Sequence, residues 1–384
     1  MTNIAVLGST GSIGQSTLEV VRQFPDKFRV TALSTNSNVD SIVSQANEFF
    51  PRVVCIGDTK FIGKVKGLPR NTKLLFGNHG LDELVEERSI DKIILSISGS
   101  AALLPLLKAV KLGKTIALAN KEALVMAGHL VMKEAKKTKA NIFPVDSEQS
   151  AIWQCLKGED PAKLKQVYLT ASGGPFLKAS SLKIKNATLK QVLRHPRWKM
   201  GKKITVDSAT LINKGLELLE AMFLFNLSSS QIKILIHPQA LVHSMVEFVD
   251  GVVMAQISAT DMRIPIQYAL SYPERLESLF PSADFYKLKQ LDFDKPDFNK
   301  FPALTLAYRA ANELGTMPCV LNAANEVCVE EFLKGKIEFI SIARIIAKVL
   351  DKHKNSADFN LEDVWQADAW ARNQARSFIE RGKA

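Results

Sequence analysis

The chain has 384 residues, 46% of them hydrophobic and 23% charged, enough apolar content for sizeable cores and too much for a disordered chain. Its formal net charge of +11 admits nucleic acid, anionic membranes or phosphorylated small molecules as partners. The basic residues are spread along the length, however, and the densest group, Lys133, Lys136, Lys137 and Lys139, reads as a helix end, where cations are favourable.

No aromatic stretch of the kind used by single-strand binders accompanies that group, so no nucleic-acid partner is expected. No apolar run reaches the ~20 residues that span a bilayer, and no charged-then-apolar leader precedes Asn3. The four cysteines, Cys55, Cys155, Cys319 and Cys328, form no C-x-x-C pair. That argues against zinc and dithiol chemistry and for a reducing compartment. The reading is a cytoplasmic protein without a membrane partner.

Taken in order, residues 1–146 alternate short apolar runs with helical patterns. Strands are expected at Ile4–Leu7, Phe28–Leu33, Arg52–Ile56, Ile93–Ile97, Thr115–Leu118 and Asn141–Val145, with helices at Gln15–Gln23, Val39–Phe50 and Ala101–Leu112. Such alternation predicts an α/β fold, a Rossmann-like parallel sheet covered on both faces, with ligands at the carboxyl ends of its strands. From 147 to 272 the pattern changes. Tyr168–Ala171 reads as a strand, Ala209–Phe225 as an amphipathic helix, and Val246–Ile257, with Asp250-Gly251 at its centre, as a hairpin. A central α+β catalytic domain with an antiparallel or mixed sheet follows. Residues 273–302 read as a linker. Residues 303–384 read as a C-terminal helical bundle, with helices at Leu304–Leu314, Ala323–Leu333, Ile340–Lys352 and Leu361–Ile379.

The first strand runs into Gly8-Ser-Thr-Gly11-Ser-Ile-Gly14 and then a helix. Glycines there let the backbone approach a pyrophosphate, and a helix N-terminus favours its charge. The spacing is G-x-x-G-x-x-G, and the alternative is a turn that only packs helix on strand; its place directly after strand one favours binding. The second strand ends in Ser34-Thr-Asn-Ser-Asn38. It lacks the carboxylate that usually meets an NAD ribose, which favours NADPH, although the loop also lacks a cation.

Val145-Asp146-Ser147-Glu148 ends the last strand of this region. In an extended chain Asp146 and Glu148 point the same way, and two such carboxylates suit a hard cation. The alternative is an acidic helix N-terminus with Ser147 as cap. Farther on, Asn213, Glu217 and Glu220 fall on one helical face, with Lys214 beside Glu217. That combination can hold a phosphate and a metal, or be a solvent face with an internal ion pair. Ser172-Gly-Gly-Pro175 has the form of an anion nest. Arg194-His-Pro-Arg-Trp-Lys-Met-Gly201 gathers His195, Arg197, Trp198 and Lys199 in a lid-like loop. His237 and His243 flank an apolar segment and read as structural. Asn120-Lys121-Glu122 ends another strand, where a lysine can meet substrate.

These motifs, together with Leu118-Ala-Asn-Lys-Glu122, Pro144-Val-Asp-Ser-Glu148, Val206-Asp-Ser-Ala-Thr210, Asn213-Lys-Gly-Leu-Glu217, Ile236-His-Pro-Gln239, Asp261-Met-Arg263 and Leu321-Asn-Ala-Ala-Asn-Glu326, resemble the 1-deoxy-D-xylulose 5-phosphate reductoisomerase family of non-mevalonate isoprenoid biosynthesis. The resemblance runs in order along nearly the whole chain. It implies an oxidoreductase, a homodimer of three-part subunits, that uses NADPH and Mg²⁺ or Mn²⁺ to rearrange and reduce a sugar phosphate. It implies nucleotide contacts from Thr10, Gly11, Ser12, Ile13, Asn38, Asn120, Glu122 and Gly201. It implies metal ligation by Asp146, Glu148 and Glu217, and substrate contacts at the reacting end from Lys121, Ser147 and Glu148. Ser172, His195, Ser208, Asn213 and Lys214 are implied to grip the phosphate, with Trp198 on a closing loop. The family commonly carries Gly and a basic residue where this chain has Asn36 and Ser37. Three other readings fit parts of the sequence: an NADP-dependent dehydrogenase of a small aldehyde or semialdehyde, which needs no metal; a basic nucleic-acid-binding protein on a Rossmann scaffold, against which the evenly spread charge argues; and an NADPH-binding regulatory protein, against which the intact Asp146, Glu148, Glu217 and Lys121 argue.

Overall fold

The computed structural model describes residues 1–198 and 200–382. In chain order its first elements are β1 (Thr2–Leu7), α1 (Ser12–Gln23), β2 (Phe28–Thr35), α2 (Val39–Phe49), β3 (Val53–Ile56), β4 (Lys73–Phe76), α3 (Gly77–Glu86), β5 (Lys92–Leu95), α4 (Leu103–Lys111), β6 (Thr115–Leu118), α5 (Glu122–Thr138), β7 (Asn141–Pro144) and α6 (Ser147–Cys155). There follow β8 (Leu164–Ala171), α7 (Ser181–Lys185), α8 (Leu189–Val192), α9 (Lys202–Thr210), α10 (Ile212–Phe225), β9 (Ile232–Ile236), β10 (Val242–Phe248), β11 (Val253–Ile257) and α11 (Arg263–Ser271). The chain closes with α12 (Pro302–Glu313), α13 (Met317–Leu333), α14 (Ser341–Lys352) and α15 (Leu361–Glu380).

Contacts divide the chain into two compact units. The first comprises Met1–Ala123, Val131–Ser150 and Asp261–Pro281. Its seven strands run parallel in the order β4-β3-β2-β1-β5-β6-β7. Parallel strands covered on both faces need continuous apolar runs rather than alternation, and β1, β3 and β5 supply them with Ile4–Leu7, Val53–Ile56 and Ile93–Leu95, all buried. Strand order reverses between β1 and β5, and the carboxyl edge there is where doubly wound sheets bind ligands. The expected strands and helices of this region all form. The pair β4–α3 was not foreseen: Leu74-Leu75-Phe76 is a short apolar run on an edge strand, too brief to mark a period.

The segment 261–281 belongs to this first unit rather than to the region 147–260 that precedes it. Ile266, Ala269, Leu270 and Phe280 join its core, Arg263 lies over the Phe280 ring at 4.4 Å, and Lys92 donates to Leu270 O at 2.5 Å. The compact units thus cut across the sequence boundaries at 146, 272 and 302, because an apolar face packs where it finds a partner, whatever its place in the chain.

The second unit comprises Leu124–Leu130, Ala151–Thr260 and the chain from Ser282 onward. Its sheet has the order β11-β10-β8-β9, with β8 and β9 parallel and the other pairs antiparallel. The hairpin turns at Asp250-Gly251, where Gly251 takes φ +88°. Helices α12, α14 and α15 stand within a residue or two of where the sequence places them, while α13 starts at Met317, ahead of the expected Ala323. α13 is buried on nearly every face, since α14 and α15 pack on it and it packs in turn on α9. The single helix expected over Ala209–Phe225 is broken. Leu211 takes the left-handed conformation at φ +61°, ending α9 and starting α10 in a new direction.

Candidate active site

The glycine turn after β1 is built for close approach. Gly8 has φ +89°, and a Cβ there would lie 2.8 Å from Ser96 O of the neighbouring β5 end; one on Gly14 would lie 2.4 Å from Gly8 O. Only glycine fits at either place. Gly11 is the N-cap of α1, with no side-chain cap and no acidic residue in the first turn. The amides of Ser12 and Ile13 therefore head a helix whose positive end is uncompensated. Thr10 Oγ1 lies 2.6 Å from Thr35 Oγ1 at the end of β2, so the turn and the second-strand loop meet at the carboxyl edge of the sheet. Asn38 caps α2, its Oδ1 accepting from Ser41 N at 3.2 Å. Asn120 is committed to the frame: its Nδ2 donates to Ile97 O at 2.9 Å and to Glu122 Oε2 at 2.9 Å, and its Oδ1 accepts from Ala123 N at 2.8 Å. Asn120 and Glu122 are both buried and fix the start of α5.

At the end of β7 the same unit holds Lys121, Asp146, Ser147 and Glu148. Lys121, only 5% exposed, forms an ion pair with Asp146. Ser147 Oγ donates to Glu148 Oε2 at 2.6 Å. The route to this cluster differs from the extended-chain argument. β7 ends at Pro144, and Glu148 lies in the first turn of α6, so helical geometry rather than strand alternation presents the carboxylate.

In the second unit Lys214, Glu217 and Glu220 are all buried, which removes the solvent-face alternative for α10. Glu217 pairs with Lys214 and accepts from Asn213 Nδ2 at 2.6 Å. Carboxylates this deep survive only when matched by donors or cations.

His195 organises the loop ahead of α9. Its Nδ1 accepts from Trp198 N at 2.9 Å and Arg197 N at 3.2 Å, and its Nε2 lies 3.1 Å from Ser172 Oγ. With Nδ1 accepting, the neutral ring carries its proton on Nε2 and donates to Ser172. Burial drives its pKa down to about 4, so the ring is neutral at physiological pH. Ser172 Oγ also receives Gly174 N at 3.4 Å, which leaves its own hydroxyl proton to donate outward. Arg197 Nε is tied to Pro238 O at 2.9 Å. The Trp198 ring stands 6.3 Å from that of His243. Gly201 caps α9 without a side chain, and Ser208 lies near the far end of that helix. Lys199 lies outside the described residues. His237 is structural: its Nδ1 bonds Asp292 O at 2.8 Å while its Nε2 accepts from Leu241 N and Val242 N. Asp207, one residue before Ser208, is buried, and no role for it was read from the sequence. A lone aspartate inside a matching motif gives no sign of where it points.

Comparison with known proteins gives the family. Residues 4–128 match the model of 1-deoxy-D-xylulose 5-phosphate reductoisomerase, residues 142–225 its C-terminal domain, and residues 257–374 the DXP reductoisomerase C-terminal domain. The 1-deoxy-D-xylulose 5-phosphate reductoisomerase of Thermodesulfovibrio yellowstonii is 48% identical over 379 residues, covering 99% of this chain and 100% of the relative. That of Pelotomaculum thermopropionicum is 48% identical over 382 residues, covering 99% of each. Among solved structures, the Zymomonas mobilis enzyme in complex with NADPH superposes with a TM-score of 0.92 at 40% identity over 99% of both chains. A DOX-P reductoisomerase in complex with NADPH, fosmidomycin and magnesium superposes with a TM-score of 0.92 at 42% identity over 100% of this chain and 99% of the other. This chain belongs to the 1-deoxy-D-xylulose 5-phosphate reductoisomerase family.

Proposed function

We propose that the protein catalyses the NADPH-dependent rearrangement and reduction of 1-deoxy-D-xylulose 5-phosphate to 2-C-methyl-D-erythritol 4-phosphate with the help of Mg²⁺ or Mn²⁺. The observation that carries this reading is a dinucleotide turn at the switch point of a parallel sheet in a chain where two site carboxylates are each matched to a buried ammonium, Asp146 to Lys121 and Glu217 to Lys214. The uncapped α1 N-terminus fits a pyrophosphate. Asp146 and Glu148 in the first unit, and Glu217 in the second, each offer oxygen donors of the kind a hard divalent cation takes. When bound, NADPH supplies hydride and the cation draws electron density from the substrate oxygens it touches.

The chain's own residues do the rest. Ser172, His195, Ser208, Asn213 and Lys214 hold the phosphate with neutral donors and one ammonium. Binding energy gained there, away from the reacting carbons, orients the substrate. Lys121 and Glu148 hold and move protons at the ketone and its adjacent hydroxyl. Lys121 Nζ is held by Asp146, and the Glu148 carboxylate is oriented by Ser147. Trp198 covers the bound sugar and limits water at the reacting carbons. Carbon NMR of the product tests the reading: the branched skeleton is expected, whereas a linear reduced sugar phosphate contradicts it.

The working unit we propose is a homodimer in the cytoplasm. Edge strand β11 exposes Val253 and Met254, and the adjoining turn exposes Val249 and Val252, an apolar edge that a second copy can cover by isologous pairing. All four cysteines are free and buried, as suits a reducing compartment. Among the described residues no helix is long and apolar enough to cross a membrane.

A further inference from the structure

Asp207 and Asn325 form a buried contact that no substrate or cofactor role explains. Asn325, on α13, is fully buried, and its Nδ2 donates to Asp207 Oδ1 at 2.9 Å. Asp207, on α9, is 1% exposed. Its other oxygen, Oδ2, lies 2.7 Å from Lys203 Nζ, one turn earlier on the same helix. Asn325 Oδ1 has no hydrogen-bond partner among the described residues. A buried amide with one satisfied end and one orphaned end costs stability; α13 buries a second amide, Asn322, but that one bonds Glu326 on its own helix, whereas Asn325 reaches across to α9. What the amide gives in return is a fixed donor for a charge that would otherwise be buried with a single partner.

That charge sits one residue from Ser208. Successive helical residues are about 100° apart around the axis, so pinning Asp207 to α13 fixes the direction in which Ser208 faces. The backbone at Ser208 is in turn the floor of the glycine turn: a Cβ on Gly174 would lie 2.8 Å from Ser208 O. Gly174 N lies against Ser172 Oγ, the acceptor of the His195 proton. α9 starts at Gly201, directly after the His195 loop, and ends at the left-handed Leu211 that launches Asn213 and Lys214. Ser208 is thus on α9 itself, Ser172 and His195 are linked to it through the Gly174 turn, and Asn213 and Lys214 follow the Leu211 turn that ends it.

We propose that Asn325 is a positioning residue of the phosphate grip: through Asp207 it sets the rotation of α9 and with it the placement of Ser208 against the Ser172–Gly174 turn. This rests on the functional reading above. Its choice of an amide follows from the chemistry, because an amide donates to the Asp207 carboxylate without adding charge, whereas an aspartate at 325 would set two carboxylates face to face.

The test compares wild type, Asn325→Ala, Asn325→Ser and the reciprocal exchange Asp207→Asn with Asn325→Asp, by calorimetric binding of 1-deoxy-D-xylulose 5-phosphate, by kcat and KM, and by melting temperature. The expected result is a rise of about tenfold in Kd and KM for the sugar phosphate in Asn325→Ala, equivalent to about 1.4 kcal/mol. kcat should change less than about threefold, NADPH affinity should hold, and the exchange should restore most of the loss, since it rebuilds the amide–carboxylate bond. If Asn325→Ala does not fold, Asn325→Ser and the exchange carry the same comparison. A lower melting temperature with unchanged Kd and KM overturns the positioning role and leaves the functional reading standing. Wild-type protein that binds NADPH but not the sugar phosphate overturns both.

Discussion

At Glu217 the chemistry of the site comes down to one carboxylate, 1% exposed, between the Lys214 ammonium and the Asn213 amide. Glu217→Gln keeps the shape and removes the charge. It is expected to lower affinity for the divalent cation by at least about 10- to 100-fold and turnover with it, while NADPH affinity is kept; unchanged metal dependence would remove Glu217 from the metal site. The histidines make a second residue-scale prediction. Burial holds both His195 and His243 at a pKa of about 4, below the ordinary 6.5. Between those values the unfolded chain binds more protons than the folded one, so stability rises with pH across that window. The melting temperature should be flat above about pH 7 and fall as pH drops from 6.5 through 4, and His243→Gln should flatten that fall. Protonating His195 also puts a proton on the Nδ1 that accepts from Trp198 N and Arg197 N, so the loop should loosen only near the lower end of the window. The identity of these residues was legible in the sequence; their surroundings were not. Asp146 and Glu148 stand out as spaced carboxylates that read either as a strand end or as an acidic helix N-terminus; the fold takes the second course, with Glu148 in the first turn of α6, and a two-residue period cannot choose between them.

At the scale of elements, apolar runs and end signals placed nearly every helix and strand. Failures came where a local pattern was continuous and the backbone was not. Ala209–Phe225 reads as one amphipathic helix because its apolar spacing never lapses, but Leu211 at φ +61° redirects the chain. A left-handed leucine leaves no mark in the sequence, since glycine or asparagine is the usual sign of that conformation. α5 carries a similar break at Ala127. Next to it, Gly128 admits the Phe223 ring, which a Cβ there would meet at 2.3 Å. Strand β11 gives an element-scale prediction. With Val253 48% exposed on an unpaired sheet edge, Val253→Lys should shift the protein from dimer to monomer in light scattering behind size exclusion, with little change in melting temperature of the isolated subunit. A wild-type monomer at working concentration would refute the dimer.

For the whole molecule, the parallel sheet and the helical C-terminal segment were both legible, the first from unbroken apolar strands and the second from four amphipathic periods. The grouping of segments was not. Arg263, Ile266 and Phe280 lie more than a hundred residues from the sheet they complete, and the richness of 273–302 in Pro, Asp and Lys makes that stretch read as linker although its first part, to Pro281, packs in the first unit. The same long-range logic puts Asn325 against Asp207. What unites these parts is a reaction that needs nucleotide, sugar phosphate and cation together. The direct test is NADPH oxidation followed by absorbance with purified protein, 1-deoxy-D-xylulose 5-phosphate and Mg²⁺ or Mn²⁺, against controls lacking substrate or containing a chelator. Oxidation that requires both substrate and cation is the predicted result; oxidation that persists in the chelator, or none at all from folded protein that binds NADPH, would contradict it.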